Sequence, residues 1–163
     1  MSEAYRVGTG YDIHRLVDGR KLLLAGVRVP FMKGLLGHSD SDVLAHAVCD
    51  ALLGAAALGD IGSHFPDTDP RWRGASSLDF LRQAVKLVGE KGYRVANVDA
   101  TVIAEQPRLK PYVQAMREQL AAVLEVDVDS VSIKAKTNEG LDAIGRGEAM
   151  AAHAVVLIKE RTS

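Results

Sequence analysis

The chain has a single cysteine, Cys49, so no disulfide can form within it. A lone thiol in an apolar run reads as a small core residue, and the lack of cystine pairs points to a reducing compartment. Aromatic residues make up only 5%, which leaves the core to Val, Leu, Ile and Ala. No run reaches the roughly 18 apolar residues of a membrane helix. The net charge of −1 gives no sign of a basic surface for nucleic acid or membrane. The first residues show neither a secretory h-region nor an Arg/Ser-rich transit pattern. The expected location is a bacterial-type cytoplasm, or a plastid once a transit peptide is removed. Three motifs are also missing. Gly8-Thr9-Gly10 is followed by Ile13 where a dinucleotide fingerprint needs its third glycine. There is no phosphate-binding Gly-x-x-x-x-Gly-Lys-[Ser/Thr] loop, and no Gly-x-Ser-x-Gly nucleophile elbow.

What is present fits one domain over residues 1–163, with 47% apolar and 25% charged residues. Residues 5–14 alternate as a strand: Val7, Thr9, Tyr11 and Ile13 on one face, Gly8, Gly10, Asp12 and His14 on the other. Short strands are expected over 21–24 and 27–29, then a loop over 30–37. Helices are expected over 42–58, 77–91 and 109–124, the first two closed by Gly59 and Gly92. Strands are expected over 93–104, 131–136 and 149–159. The interleaving predicts an α/β (α+β) domain, a four-stranded mixed sheet with helices on one face. The bare face, lined by small residues, suits an oligomer whose sheets meet around an axis.

The densest chemistry lies in residues 37–50. Ser41 or Asp40 is placed to cap a helix on which Asp42, His46 and Asp50 share one stripe among small and apolar neighbours. Buried charge of that kind needs a partner. Asp12, His14 and His46 make a plausible ligand set: two imidazoles, a carboxylate and an open position, as at a catalytic zinc. Asp42 or Asp50 could orient His46 through its second nitrogen. Asp-x-His pairs also occur on ordinary strand surfaces, so spacing alone leaves both readings open. His153, between alanines in a strand, reads as a core or interface histidine.

Two loops look suited to phosphate. Lys134-Ala135-Lys136-Thr137-Asn138-Glu139-Gly140 offers cation, hydroxyl and carboxylate, and Gly145-Arg146-Gly147-Glu148 an arginine between glycines. Pro107-Arg108-Leu109-Lys110-Pro111 puts two cations at a helix start, where N–H groups favour anions. Each, taken alone, also fits a solvated turn or an ordinary helix start.

Together these segments resemble the 2-C-methyl-D-erythritol 2,4-cyclodiphosphate synthase family over nearly the whole chain. The motifs are Gly10-Tyr11-Asp12-Ile13-His14, His38-Ser39-Asp40-Ser41-Asp42 with His46 and Asp50, the run 53–62, Phe65-Pro66-Asp67-Thr68-Asp69, and Gly145-Arg146-Gly147-Glu148. The resemblance implies a phosphorus–oxygen lyase of non-mevalonate isoprenoid biosynthesis. The 2-phosphate of a 4-diphosphocytidyl methylerythritol attacks its own β-phosphorus, and CMP leaves. By resemblance, Asp12, His14 and His46 hold Zn²⁺, and Glu139 holds Mg²⁺ or Mn²⁺. His38 and Thr137 stabilise the transition state. Asp12, His14, Ser39, Lys136, Asn138, Ala143 and Arg146 join the substrate-binding set. Asp60, Ile61 and Gly62 meet the erythritol part, beside a cover formed by Phe65, Pro66, Asp67, Thr68 and Asp69. Ala104, Glu105, Gln106, Pro107, Arg108, Leu109 and Lys110 form the cytosine and ribose pocket. The family is a homotrimer with sites between subunits, and an isoprenoid diphosphate can sit on its axis near Arg146. This chain departs from the family with Asn138 and with Leu141-Asp142-Ala143, where relatives carry an aromatic residue.

Two other readings fit the ligand set: a zinc phosphohydrolase with water as nucleophile, and a non-enzymatic metal- or isoprenoid-binding trimer.

Overall fold

Small residues set the central contact of the fold. β1 (Tyr5–Asp18) turns Gly8 and Gly10 toward α1 (Val43–Ala55). A Cβ at Gly8 would lie 2.0 Å from the Ala51 carbonyl oxygen, and one at Gly10 1.9 Å from that of Ala47. Only glycine lets the alanine-faced helix lie directly on the strand. The computed structural model describes residues 4–161. The reading of the chain start rests in part on residues 1–3, which lie outside them.

The sheet has five strands in the order β4-β1-β7-β5-β6, completed by β4 (Lys33–Leu36), β5 (Tyr93–Ile103), β6 (Val131–Lys136) and β7 (Ala149–Glu160). All pairs are antiparallel except β5–β6. β2 (Leu22–Leu24) and β3 (Val27–Val29) form a separate hairpin. The α/β class holds, but the expectation of four strands was one short. Residues 33–36, expected as loop, pair with the far end of β1 from Arg15↔Leu36 to Asp18↔Lys33. Four residues are too few for alternation to register. The same pairing carries β1 past His14 to Asp18.

α1, α3 (Ser77–Glu90) and α4 (Val113–Leu124) cover one face. Asp42, not Ser41 or Asp40, caps α1, its side chain accepting from Ala45 N at 2.9 Å. The helix ends at Ala55 rather than at 58, because Ala57 already takes a left-handed φ of 55°. α4 begins later than expected, after a 3₁₀ turn over Lys110–Tyr112 that contains Pro111. The loops after α1 and β6 each hold one helical turn, α2 (Ile61–His64) and α5 (Asp142–Gly145).

Beneath the helices lies a core of Leu, Val, Ala and Met, in which Cys49 is fully buried. Burial pushes that thiol well above its ordinary range, which leaves it inert. The opposite sheet face has no cover in the single chain. Val7 is 63% exposed, Tyr11 50%, Ile13 43% and Val155 44%. His153 is exposed on the same face, its ring 4.7 Å from that of Tyr11.

Candidate active site

The close approach of β1 and α1 brings Asp12, His14 and His46 together. Asp12 Oδ2 lies 2.9 Å from His14 Nε2 and 3.0 Å from His46 Nδ1. The two imidazole nitrogens are 3.4 Å apart. Among the described residues, this is the group of three ligand atoms that could hold a metal ion, all within 4.8 Å of one another. Burial alone would raise the Asp12 carboxyl, but the two imidazoles beside it, when they carry protons toward it, outweigh burial and hold it down to about 2. Burial works against the charged form of His14, yet its bond to Asp12 leaves it raised.

The far side of each ring tests whether these residues suit a cation. His14 Nδ1 lies 3.0 Å from the Leu36 carbonyl, which can only accept. Nδ1 therefore carries the proton of neutral His14, and Nε2 presents a lone pair to the Asp12 oxygen. Two acceptors at 2.9 Å need positive charge between them, a proton or a metal ion. A backbone carbonyl behind a ligating ring is also the usual support of a metal-bound histidine. The donor set fits a divalent ion.

His38 and Ser39 line the same cleft, of about 380 Å³, with Ile61, Gly62, Phe65, Pro66 and Asp67. His38 Nε2 is buried without a partner among the described residues. The remaining members of this predicted group stand aside. Asp60 caps α2 and spends its carboxylate on Ser63, at 2.9 Å to N and 2.7 Å to Oγ. Asp69 is engaged by Arg71 at 2.6 Å, and Thr68 is absent from the lining.

Ala104, Glu105, Gln106, Pro107, Arg108, Leu109 and Lys110 line a second cleft of about 860 Å³, with Lys136 and Thr137. The two clefts of one chain share no lining residue. Glu105 Oε1 accepts from Asn138 N at 2.8 Å and Gly140 N at 3.2 Å, so this side chain shapes the loop after β6. Glu139 is exposed on that loop. Ala143 packs against the small cluster around Ile144. Arg146 is held by Glu148 at 2.9 Å and lines a third hollow that also includes Glu105 and Gln106.

Neither acid expected to orient His46 does so. Asp42 turns to the backbone N–H groups of Ala25, Gly26 and Ala45, and Asp50 accepts from Ile61 N at 2.7 Å. The far nitrogen of His46 instead meets Ser77 Oγ at 2.7 Å and Ser39 Oγ at 3.2 Å. Ser77 was invisible as a site residue, because Ser76-Ser77 before an apolar run reads as a helix cap. Phe80 was missed as a cleft wall because an aromatic at helical spacing reads as core, and Trp72 because its turn before α3 carries no periodic signal.

A helix-covered mixed sheet with a two-histidine, one-carboxylate cluster at the helix–strand seam defines an α/β domain with a site able to hold a metal ion. The chain belongs to the YgbB family, whose sequence model matches residues 5–159. It is 60% identical over 156 residues to the 2-C-methyl-D-erythritol 2,4-cyclodiphosphate synthase of Synechococcus sp. strain JA-2-3B'a(2-13), covering 96% of this chain and 99% of that one. It is 61% identical over 155 residues to the synthase of Desulfosudis oleivorans, covering 95% and 92%. A solved 2C-methyl-D-erythritol-2,4-cyclodiphosphate synthase in its CDP-bound form superposes with a TM-score of 0.87 at 43% identity, over 94% of this chain and 99% of that one.

Proposed function

We propose that this chain converts 4-diphosphocytidyl-2-C-methyl-D-erythritol 2-phosphate to 2-C-methyl-D-erythritol 2,4-cyclodiphosphate and CMP, a step of non-mevalonate isoprenoid biosynthesis. What carries the reading is that the Asp12–His14–His46 cluster opens into the cleft of His38 and Ser39, in a chain aligned over 96% of its length with an enzyme of that name.

The chemistry asks for position and charge neutralisation more than for a strong base. An oxygen of the ionised 2-phosphate bonds to the β-phosphorus. The bond from that phosphorus to the oxygen bridging to the α-phosphorus breaks, and CMP departs with the bridging oxygen and the electron pair. Zn²⁺ at Asp12, His14 and His46, with Mg²⁺ or Mn²⁺ at Glu139, would neutralise the crowded phosphate charge. His38 and Thr137 donate hydrogen bonds to phosphate oxygens as charge shifts between them. Ser39, Lys136, Asn138, Ala143 and Arg146 complete the phosphate and erythritol surroundings. Ile61, Gly62 and the Phe65–Pro66–Asp67 wall exclude water from the erythritol part, with Asp60, Thr68 and Asp69 at the rim. The groove from Ala104 to Lys110 takes cytosine and ribose, its backbone groups reading the base edge.

His38 and Thr137 stand in different clefts of one chain, which supports a homotrimer in which the metal side of each site comes from one subunit and the nucleotide groove from its neighbour. The bare sheet face supports the same assembly. An isoprenoid diphosphate on the axis would rely on Arg146, whose tie to Glu148 at 2.9 Å competes for it. Among the described residues no helix is long and apolar enough to cross a membrane, and we place the enzyme in a bacterial-type cytoplasm.

The test is product analysis with purified protein, Zn²⁺ and Mg²⁺. CMP should appear in step with the cyclic product, with no ¹⁸O taken from solvent water. Solvent ¹⁸O in the product would mark a phosphohydrolase instead. No turnover together with intact zinc binding would mark a binding protein. A chelator should abolish activity, and Zn²⁺ with Mg²⁺ should restore it.

A further inference from the structure

Ser77 opens α3 and is fully buried. Its backbone N–H donates to Asp40 Oδ2 at 2.9 Å, and its hydroxyl donates to Asp40 Oδ1. Asp42 N also donates to Asp40 Oδ1, at 3.2 Å. A carboxylate only accepts, so the single hydroxyl proton of Ser77 is committed to Asp40. Ser77 Oγ then faces His46 Nε2 at 2.7 Å with only lone pairs to offer. A bare Nε2 there would set two acceptors against each other. A proton on Nε2 resolves that contact, with Ser39 Oγ at 3.2 Å as the weaker second acceptor, and leaves the Nδ1 lone pair 3.0 Å from Asp12 Oδ2, a pairing that a cation in the cluster would relieve.

From this geometry we infer that Asp40 and Ser77 are positioning residues that fix His46 as the Nε2–H tautomer and so aim the Nδ1 lone pair at Asp12 and His14. This rests on the reading of that cluster as a metal site. Asp40 and Ser77 do for His46 what the Leu36 carbonyl does for His14. The relay also ties the cleft to the segment before α3: Asp40 N donates to the Ala75 carbonyl at 3.1 Å and Gly74 N to that of His38 at 3.0 Å. A residue far along the chain thereby sets the proton position on a ligand of α1.

Metal-free protein labelled with ¹⁵N-histidine decides the matter by multiple-bond ¹H–¹⁵N spectra at about pH 9, above the usual histidine range. His46 should show the Nε2–H pattern in the wild type and lose it in Ser77→Ala and Asp40→Asn. Ser39→Ala should keep it. Competition with a chromophoric chelator, using Zn²⁺ alone, should show affinity falling roughly 10- to 100-fold in Ser77→Ala, the usual cost of losing such a support. An Nδ1–H pattern for His46 in the wild type overturns the inference whether or not any variant folds. Unchanged zinc affinity in folded Ser77→Ala overturns it as well. Failure of the wild type to bind zinc while His46 keeps the Nε2–H pattern would instead sink the metal reading and leave the relay standing.

Discussion

Asp42 Oδ2 accepts a hydrogen bond from Gly26 N at 2.7 Å, fastening the first turn of α1 to the turn between β2 and β3. Its other oxygen takes Ala25 N and Ala45 N, each at 2.9 Å. The side chain is fully buried, and burial pushes its carboxyl up from 3.8 to about 6 against these three donors. A raised carboxyl binds its proton in the folded state before the unfolded chain does. Its contribution to stability is therefore largest below the ordinary value and declines as pH rises from about 4 to about 6. The decline is on the order of 3 kcal/mol at most. Asp42→Asn should lose the Gly26 bond, at about 1 kcal/mol, and flatten this part of the profile. Urea midpoints of chelated protein across that range check it, and parallel profiles for the two proteins would contradict it.

Gly10 fixes how near α1 comes to the sheet. Gly10→Ala would drive a methyl into the Ala47 carbonyl, which backbone cannot relieve by turning a rotamer. Stability should drop by about 1–3 kcal/mol or more. Zinc affinity should fall with it, because the same spacing sets the 3.0 Å between Asp12 and His46. Thermal unfolding and chelator competition on one sample measure both. A variant that loses stability but binds zinc normally would separate the two effects.

Glu105→Ala should loosen the loop that carries Thr137 and Glu139. It removes two backbone hydrogen bonds worth about 1 kcal/mol each. The expected result is a several-fold to tenfold rise in the Mg²⁺ concentration for half-maximal activity, with zinc affinity unaltered because Glu105 lies outside the metal cleft. A drop in zinc affinity would refute the separation of roles.

Val155→Asp places a charge on the bare sheet face. In a lone chain the residue is 44% exposed, and the substitution should cost no more than about 1 kcal/mol in strand propensity. In the proposed trimer, with each site shared between subunits, it should split the assembly and abolish turnover. Light scattering of wild type and variant, with circular dichroism to confirm folding, tests this. A fully active single chain would count decisively against shared sites.

The parts of the site that could be read from the sequence are those carried by periodicity. Alternation in β1 put Asp12 and His14 on one face, and helical spacing put His46 in a buried setting. The strands over 131–136 and the helix from Ser77 also followed from pattern. What escaped depends on contacts between distant segments. β4 exists because β1 offers it an edge. Asp42 and Asp50 share a stripe with His46, yet backbone donors from elsewhere claim both carboxylates. Ser77 reaches His46 only because the segment before α3 folds over residues 38–40. No local spacing encodes such a meeting.

Trp72 is the sole tryptophan of the chain. Its ring stands edge-on to Phe65 at 5.3 Å and to Phe80 at 5.6 Å, in the wall of the cleft that holds Asp12, His14 and His46. Phe65 and Phe80 stack on each other at 4.8 Å, and Phe80 reaches the His46 ring at 6.2 Å. The protein thus carries its own optical probe. Indole emission reports on the polarity and quenching at one wall of one cleft, with no competing tryptophan signal. The proposed binding of an ion and of substrate can be tested in real time on unlabelled protein, and the inert Cys49 leaves the surface free for a second dye wherever a thiol is introduced.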